Sequence, residues 1–320
     1  MSFISVLFAL LLEQARPLSR GNLVHASLRG WVRWSARNFD AGMPFHGGLA
    51  WGFAVLGPSL MALGVYWAVD VFLGWPVGVI WSAAVLYACL GFRQFSFHFT
   101  QIRDALADGD EDRARELLAR WQQIDASELP RSEIVRHVIE HSVLSAHRHV
   151  FGVLAWFSVL AAFGFGPTGA VLYRLSEFVV RYWQHKSKTQ LQPVSDSLQL
   201  TAANAWGVID WVPARLTAMS FAVVGSFEEA IDGWRNYEPR FAGDNDGIVL
   251  AATAGAVNIR LGVTAPLAAM STGTDGFPGE SASGQIPELA HLAVVVGLVW
   301  RAVVMWMVLL ALLTLARLLG

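Results

Sequence analysis

The sequence predicts an all-α polytopic integral membrane protein with about four or five membrane helices and a cytoplasmic helical region. Three observations carry this prediction. Of 320 residues, 54% are hydrophobic and only 15% are charged, against about 25% charged in an average soluble domain. The mean hydropathy is +0.44, and 14 Trp with 19 Phe add more apolar surface than one compact soluble core can hide. Several apolar stretches also reach the roughly 20 residues that a helix needs to cross a bilayer.

Each element follows in chain order. Residues 1–12 are apolar, with no basic leader and no small-residue cleavage site before Glu13-Gln14-Ala15-Arg16-Pro17. This segment reads as retained, not as a signal peptide. It is too short to span and is expected to enter partway or pack on other helices. Residues 16–45 carry five Arg around Trp31-Val32-Arg33-Trp34, the pattern of an interfacial amphipathic helix. Spans are expected at 46–72, which contains Pro58, and at 76–92, with Gly74-Trp75 as the hairpin turn between them.

Residues 93–147 lack a long apolar run and read as cytoplasmic helices. Asp108-Gly109-Asp110 forms a turn that caps a helix at 111–121. In it Ala114, Leu117, Leu118 and Trp121 share one face. Pro130 opens another helix that runs to about residue 145. A third span is expected at 150–172, broken by Gly164-Phe165-Gly166-Pro167-Thr168-Gly169. An embedded helix at 202–224 holds Asp210, Pro213 and Arg215. A polar region at 226–287 ends in a Gly/Ser/Thr-rich loop over 271–284. The most hydrophobic span, 291–315, carries Arg301.

The resulting organisation is 1–92 as N-terminal membrane and interfacial helices and 93–147 as the cytoplasmic helical region. Membrane helices with a Pro-Ala-Arg motif follow at 148–225, then a polar region at 226–290 and a C-terminal membrane helix at 291–320. The two segments flanking the first hairpin carry five and seven Arg, whereas its turn carries none. The positive-inside bias therefore places both flanks in the cytoplasm of a bacterial-type inner membrane. Residues 173–200 carry Arg174, Arg181, Lys186 and Lys188. They form either a short outside loop or the sequel to a re-entrant third stretch.

Composition also excludes functions. Net charge is −2, so no basic field exists for nucleic acid. Only Lys186 and Lys188 are lysines, and neither follows a phosphate-binding Gly-rich loop. Cys89 is the single cysteine, which removes disulfides, Cys-based zinc and CxxC redox chemistry.

Three constellations could carry chemistry. His137-Val138-Ile139-Glu140-His141 is H-x-x-E-H, with two His at i and i+4 as an inverted zinc-peptidase motif requires. The bland alternative is an ordinary helix with an Arg136–Glu140 pair, and it is favoured because no downstream acidic ligand is evident. Asp210 to Ala218 places a carboxylate and a guanidinium in an apolar stretch, where a central charge costs about 2.5–3.5 kcal/mol on insertion scales. A structural salt bridge and a ligand-facing site explain it equally well. Asn245-Asp246-Gly247 ahead of Ala251 to Ala256 is a turn and N-cap whose amides could hold an anion.

At these residues the chain resembles the CobD/CbiB cobalamin-biosynthesis membrane proteins, including their AmpE-like branch. The resemblance runs in order from about residue 10 to 262. It is carried by Ala114-Arg115 with Asp125, Leu129, Ile134, Arg136 and Glu140, and by Gly169-Ala170 with Tyr173-Arg174. The most specific piece is Pro213-Ala214-Arg215-Leu216-Thr217-Ala218, followed by Asn245-x-Gly247 and Ala256 to Gly262. The resemblance implies, for synthase-type members, an ATP-dependent amidation joining aminopropanol or its phosphate to adenosylcobyric acid. Such chemistry uses acidic groups to hold Mg²⁺.

The chain departs from the family pattern at acidic and polar positions. Leu144, Ser145, Arg148 and Val180 stand where the family has Glu, Asn, Asp and Asp, and Glu177 stands for its Asn. Trp206 and Gly207 replace a paired Asp, and Ile124 replaces an Arg. Arg148 ahead of Trp156, and Asp210-Trp211-Val212-Pro213 before Arg215, resemble AmpE-like proteins, which are associated with β-lactamase induction and peptidoglycan recycling.

The leading expectation is therefore a diverged AmpE-like sensor or accessory protein in the cell envelope. The alternative is the synthase, with Mg²⁺ and ATP and with Asp125, Glu133, Glu140, Asp210 and Glu177 supplying acids. A zinc peptidase on 137–141 is third. Candidate ligand-binding residues are Glu140, Asp210, Arg215, Asn245 and Gly247, with no metal site assigned. Asp210 and Arg215 would bring charge to an embedded cavity, and Asn245 and Gly247 would offer backbone amides. Expected partners are the lipid bilayer and a small-molecule ligand, with a homo-oligomer left open.

Overall fold

The computed structural model describes residues 2–15, 23–189, 194–237, 243–262 and 284–319. Among them the chain forms α1 (Ser2–Ala15), α2 (Leu23–Phe39), α3 (Pro44–Leu73), α4 (Trp75–Cys89), α5 (Phe92–Ala107), α6 (Glu111–Gln122) and α7 (Arg131–Ala146). A π-helical turn, His147–Phe151, leads into α8 (Gly152–Ala162). The remaining helices are α9 (Thr168–Thr189), α10 (Asp196–Val224), α11 (Phe227–Tyr237), α12 (Asn245–Val257) and α13 (Leu289–Leu319). An isolated β bridge pairs Ile259 with Gln285.

Among the described residues four helical rods are long and apolar enough to cross a membrane: 45–73, 131–162, 196–224 and 289–316. The chain is thus an all-α polytopic membrane protein. Two expected spans need correction. The stretch at 76–92 is the 15-residue α4, started by the Gly74-Trp75-Pro76 turn and stopped at extended Leu90, so it falls short of a bilayer's thickness. The third span begins 19 residues earlier than 150, at Arg131, and stops at Ala162. Its polar-looking first half buries Ile134, Val135, Val138 and Ile139 along one stripe, so His, Arg and Glu occupy only the remaining face. Gly164 and Gly166 take positive φ and end it, so 168–172 belongs to α9.

The chain divides into two compact units. The first comprises 1–91, 148–213 and 310–320. Here α2 is amphipathic as its sequence requires: Val32 and Ser35 are buried, and the Ser35 hydroxyl donates to the Ala50 carbonyl of α3 at 2.9 Å. Val179, Trp183 and Leu198 complete a core with Ala50, Ala54 and Val55. The Asp40 carboxylate accepts from the Ser195 amide and hydroxyl, and Ser195 in turn caps the start of α10 through the Leu198 amide. α8 and α9 pack closely because both are small at the contact. A β-carbon on Gly152 would overlap the Tyr173 ring, and one on Gly169 would overlap the Trp156 carbonyl.

The second unit comprises 92–147 and 214–309. Asp110 caps α6 by accepting from the Arg113 amide at 3.0 Å, and Ala114 and Leu118 face inward. α12 packs on α11 and α7. Its small residues let the Glu229 carbonyl lie against Gly255. The indole of Trp306 on α13 donates to the Ser220 hydroxyl at 2.8 Å. Most of the loop expected at 271–284 lies outside the described residues.

Candidate functional site

Pro213 sits inside α10 and cannot donate a backbone hydrogen bond, which frees the carbonyl four residues earlier, at Ile209. In an apolar medium that carbonyl needs a donor. The Trp156 indole supplies one at 2.9 Å. The helix is thereby held around the Pro213 position, between Asp210 and Arg215. Asp210 is fully buried and accepts from the Tyr173 hydroxyl at 2.7 Å, in the first unit. Trp206, one turn earlier, lies tilted against Tyr173 with ring centroids 5.1 Å apart.

In the second unit Arg215 donates to the Asn245 side-chain oxygen at 3.3 Å. This joins the Pro-Ala-Arg string to the Asn-x-Gly string. Glu140 accepts from the Gly262 amide at 2.8 Å, with the Arg136 guanidinium 3.6 Å away. Arg136 also forms an ion pair with Glu133. Glu140 and Asn245 are therefore tied to opposite ends of α12: Asn245 opens it, and Gly262 follows its end. A 13-residue helix is about 20 Å long.

The role expected for Gly247 is corrected. The α12 N-cap is Asp244, and its carboxylate accepts the Gly247 amide at 3.0 Å, so that amide is already used. Gly247 is small for a packing reason, since a β-carbon there would overlap the Tyr237 hydroxyl. That hydroxyl donates to Asp244 at 2.6 Å. Burial is the largest influence on Asp244 and raises its pKa above the ordinary carboxylate value, although its hydrogen bonds from Tyr237, Gly247 and Asp246 pull the other way.

The other acids proposed for a metal are engaged elsewhere. Asp125 accepts from Ser127 in an exposed turn, and these hydrogen bonds lower its pKa. Glu177 is buried between Arg174 and Arg181 of its own helix. His141 of the H-x-x-E-H motif lies edge-on to Trp121, centroids 4.5 Å apart. Among the described residues no three His, Cys, Asp or Glu side chains gather as a metal-holding group. The described residues therefore do not fit a dedicated Mg²⁺ or zinc cage.

Sequence reasoning missed Tyr173, Gly262 and the buried contact between His147 Nδ1 and the Thr217 hydroxyl at 2.9 Å. The signal for the first two was present, because both lie in the strings that carry the family resemblance. Each string meets another at a polar contact: Tyr173 with Asp210, Arg215 with Asn245, Glu140 with Gly262.

The family model described as CobD/Cbib protein matches residues 9–270. The chain belongs to this family. Curated relatives share one name, and one of them aligns along nearly the full length. A "Cobalamin biosynthesis protein CobD" of Stutzerimonas stutzeri is 30% identical over 315 residues, covering 96% of each chain. One of the same name from Chromobacterium violaceum is 34% identical over 184 residues, covering 58% of this chain and 56% of that one. The one from Leptospira interrogans is 28% identical over 200 residues, 59% of each. No solved structure matches. These relatives are named for cobalamin biosynthesis, and the AmpE-like sensor reading gains no support from them.

Proposed function

We propose that this CobD/CbiB family protein is the membrane-bound amide ligase of cobalamin biosynthesis, adenosylcobinamide or adenosylcobinamide-phosphate synthase. The observation that carries the reading is the relative named for cobalamin biosynthesis that aligns over 96% of both chains. In the reaction, ATP activates a carboxylate of adenosylcobyric acid. The amine nitrogen of aminopropanol or its phosphate attacks the activated carbon, the C–N bond forms, and the displaced oxygen leaves on the group cleaved from ATP.

The roles of this chain's residues are part of the proposal. Arg215, steadied by Asn245, offers a cation for an anionic substrate group. Glu140 holds the Gly262 backbone and can take a proton from the amine. Asp210 acts through Tyr173 as a positioning residue beside the Pro213 bend. Bacterial inner-membrane residence belongs to the same reading, supported by the four membrane-length helices.

Genetic rescue tests it. Expression in a cobalamin auxotroph lacking its own synthase should restore growth on cobyric acid, and Arg215→Ala should abolish that rescue while the protein still accumulates in membranes. Failure of the wild-type chain to rescue at normal membrane levels overturns the reading.

A further inference from the structure

Along α2, Arg29, Arg33 and Arg37 recur every four residues. That spacing sets them in one row, about 6 Å apart along the helix axis. All three are exposed. The opposite face is apolar: Val32 is buried, and Leu28, Trp31, Ala36 and Phe39 pack on the core of the first unit. One helix thus turns its apolar residues to the protein and its cations outward.

The row meets no carboxylate of the protein. No Asp or Glu occurs from Leu23 to Phe39. Asp40, the next acid, is committed to the amide and hydroxyl of Ser195. Among the described residues none of the three guanidiniums forms an ion pair, whereas Arg103, Arg115, Arg120 and Arg136 each pair with a carboxylate within four positions. The surroundings make this matter, because α2 lies against the first turns of α3, a helix long and apolar enough to span. The Ser35 hydroxyl reaches the Ala50 carbonyl, the Trp31 indole donates to the Phe53 carbonyl at 3.2 Å, and a β-carbon on Gly57 would stand 3.3 Å from the Trp31 ring. Charges beside such a helix are costly in hydrocarbon and settle where the membrane offers water or phosphate.

The row also has a seat for a ligand. Gly30 carries no side chain, and a β-carbon there would meet nothing within 4 Å. The open depression over it is lined by Arg33, Trp34, Arg37 and Asn38. Arg33 Nε donates to the Arg29 carbonyl at 3.3 Å, and the Asn38 amide donates to the Trp34 carbonyl at 2.7 Å. These bonds steady the two side chains and leave the terminal nitrogens of Arg33 for an anion. Trp34 is 46% exposed and stacks on Trp31, with ring centroids 5.1 Å apart. A half-exposed indole held in this way suits the polar boundary of a bilayer.

We propose that this face of α2 docks selectively on anionic phospholipid, the phosphate of one headgroup seating over Gly30 between Arg33 and Arg37. Sequence spacing alone gives an interfacial helix; the unpaired row and the depression give the kind of lipid. Guanidinium forks pair well with phosphate oxygens. A zwitterionic headgroup would bring its own ammonium against the row, so charge complementarity favours a lipid such as phosphatidylglycerol. Free phosphate would use the arginines and leave Trp34 without a role, whereas a lipid engages both. Docking here is independent of the ligase reading, because it is measured without cobyric acid or nucleotide.

The test uses the full chain purified in a non-ionic detergent and titrated with phosphatidylglycerol or with phosphatidylcholine of the same acyl chains. Native mass spectrometry resolves the lipid-bound forms. Phosphatidylglycerol should bind more tightly than phosphatidylcholine. Each charge removed should weaken it about fivefold, so Arg33→Gln alone should cost about fivefold and the triple change of Arg29, Arg33 and Arg37 to Gln about a hundredfold. All three positions are exposed, so the thermal midpoint should not move. Arg120→Gln, at a cation already paired with Glu116, should leave lipid affinity unchanged. Inorganic phosphate at equal concentration should fail to displace the lipid. Equal affinity for the two lipids, undiminished binding by both folded Gln variants, an equal loss in Arg120→Gln, or displacement by inorganic phosphate overturns the proposal.

Discussion

Asp210 and Glu140 are both carboxylates set in largely apolar helices, and they are satisfied in different ways. Asp210 accepts from a neutral hydroxyl, Tyr173, on another helix of its unit. Glu140 accepts from a backbone amide 122 positions away, Gly262, with a guanidinium one turn earlier on its own helix. The first arrangement joins two helices through a neutral donor in a fully buried place. The second shares its charge with Arg136, which is itself paired with Glu133 and partly exposed. Removing the Tyr173 hydroxyl should therefore matter more than removing Arg136, since Asp210 is fully buried and a buried acceptor that loses a donor bears a desolvation penalty.

The largest effect is expected at the contact that fixes the first arrangement. Gly152→Ala would drive a methyl group into the Tyr173 ring. Overpacking of this kind costs about 1–3 kcal/mol, and the ring has little room to move, so the upper end is expected. Thermal unfolding in detergent should show a clear drop in midpoint, and an unchanged midpoint would mean the helices approach less closely than described.

Next comes the direct comparison. Tyr173→Phe should destabilise by about 1–3 kcal/mol, whereas Arg136→Gln should cost about 1 kcal/mol or less, because Glu140 keeps the Gly262 amide. Denaturant titration of the two variants separates them. Equal losses would erase the distinction drawn between the two carboxylates.

The smallest effect concerns Asp244, which resembles Asp210 in accepting from a tyrosine but does so outside the membrane-length helices. Its folded pKa is raised above the ordinary 3.8, chiefly by burial. The folded state thus holds this proton more tightly than the unfolded chain. Its contribution to stability is full below pH 3.8 and is lost as pH rises through the raised value. Asp244→Asn should flatten stability against pH over that interval, and an unaltered slope would contradict the assignment.

How much of this was legible in the sequence depended on whether a feature was local. The Asp110 cap, the amphipathic α2 and the apolar α3 and α13 follow from spacing and composition over a few turns, and the structure contains them. The helical continuity from Arg131 to Ala162 was hidden because His137, His141, His147, Arg148 and His149 lower the hydropathy of a helix whose other face is buried. The Asn245 turn was read one residue late, since Asp244 rather than Asn245 provides the cap. Asp210, Arg215, Glu140 and Asn245 are named by the sequence as candidates, and the structure gives each a polar contact. Their partners are not named, because Tyr173 and Gly262 lie 37 and 122 positions away and no local pattern announces them.

The loss of acidic positions at Leu144, Arg148, Val180, Trp206 and Gly207 first favoured a sensor over an enzyme. The structure gives some of these replacements packing roles. Val180 lies in the core with Trp183, and Trp206 rests on Tyr173. Such packing is compatible with either function and does not separate them, whereas the full-length relative named for cobalamin biosynthesis favours the ligase.

The most direct measurement is therefore chemical. Purified protein in detergent, given adenosylcobyric acid, ATP, magnesium and aminopropanol or its phosphate, should convert the acid to the corresponding amide, seen as a mass change of the corrinoid. Intact adenosylcobyric acid after prolonged incubation with folded wild-type protein and both amines would contradict the account.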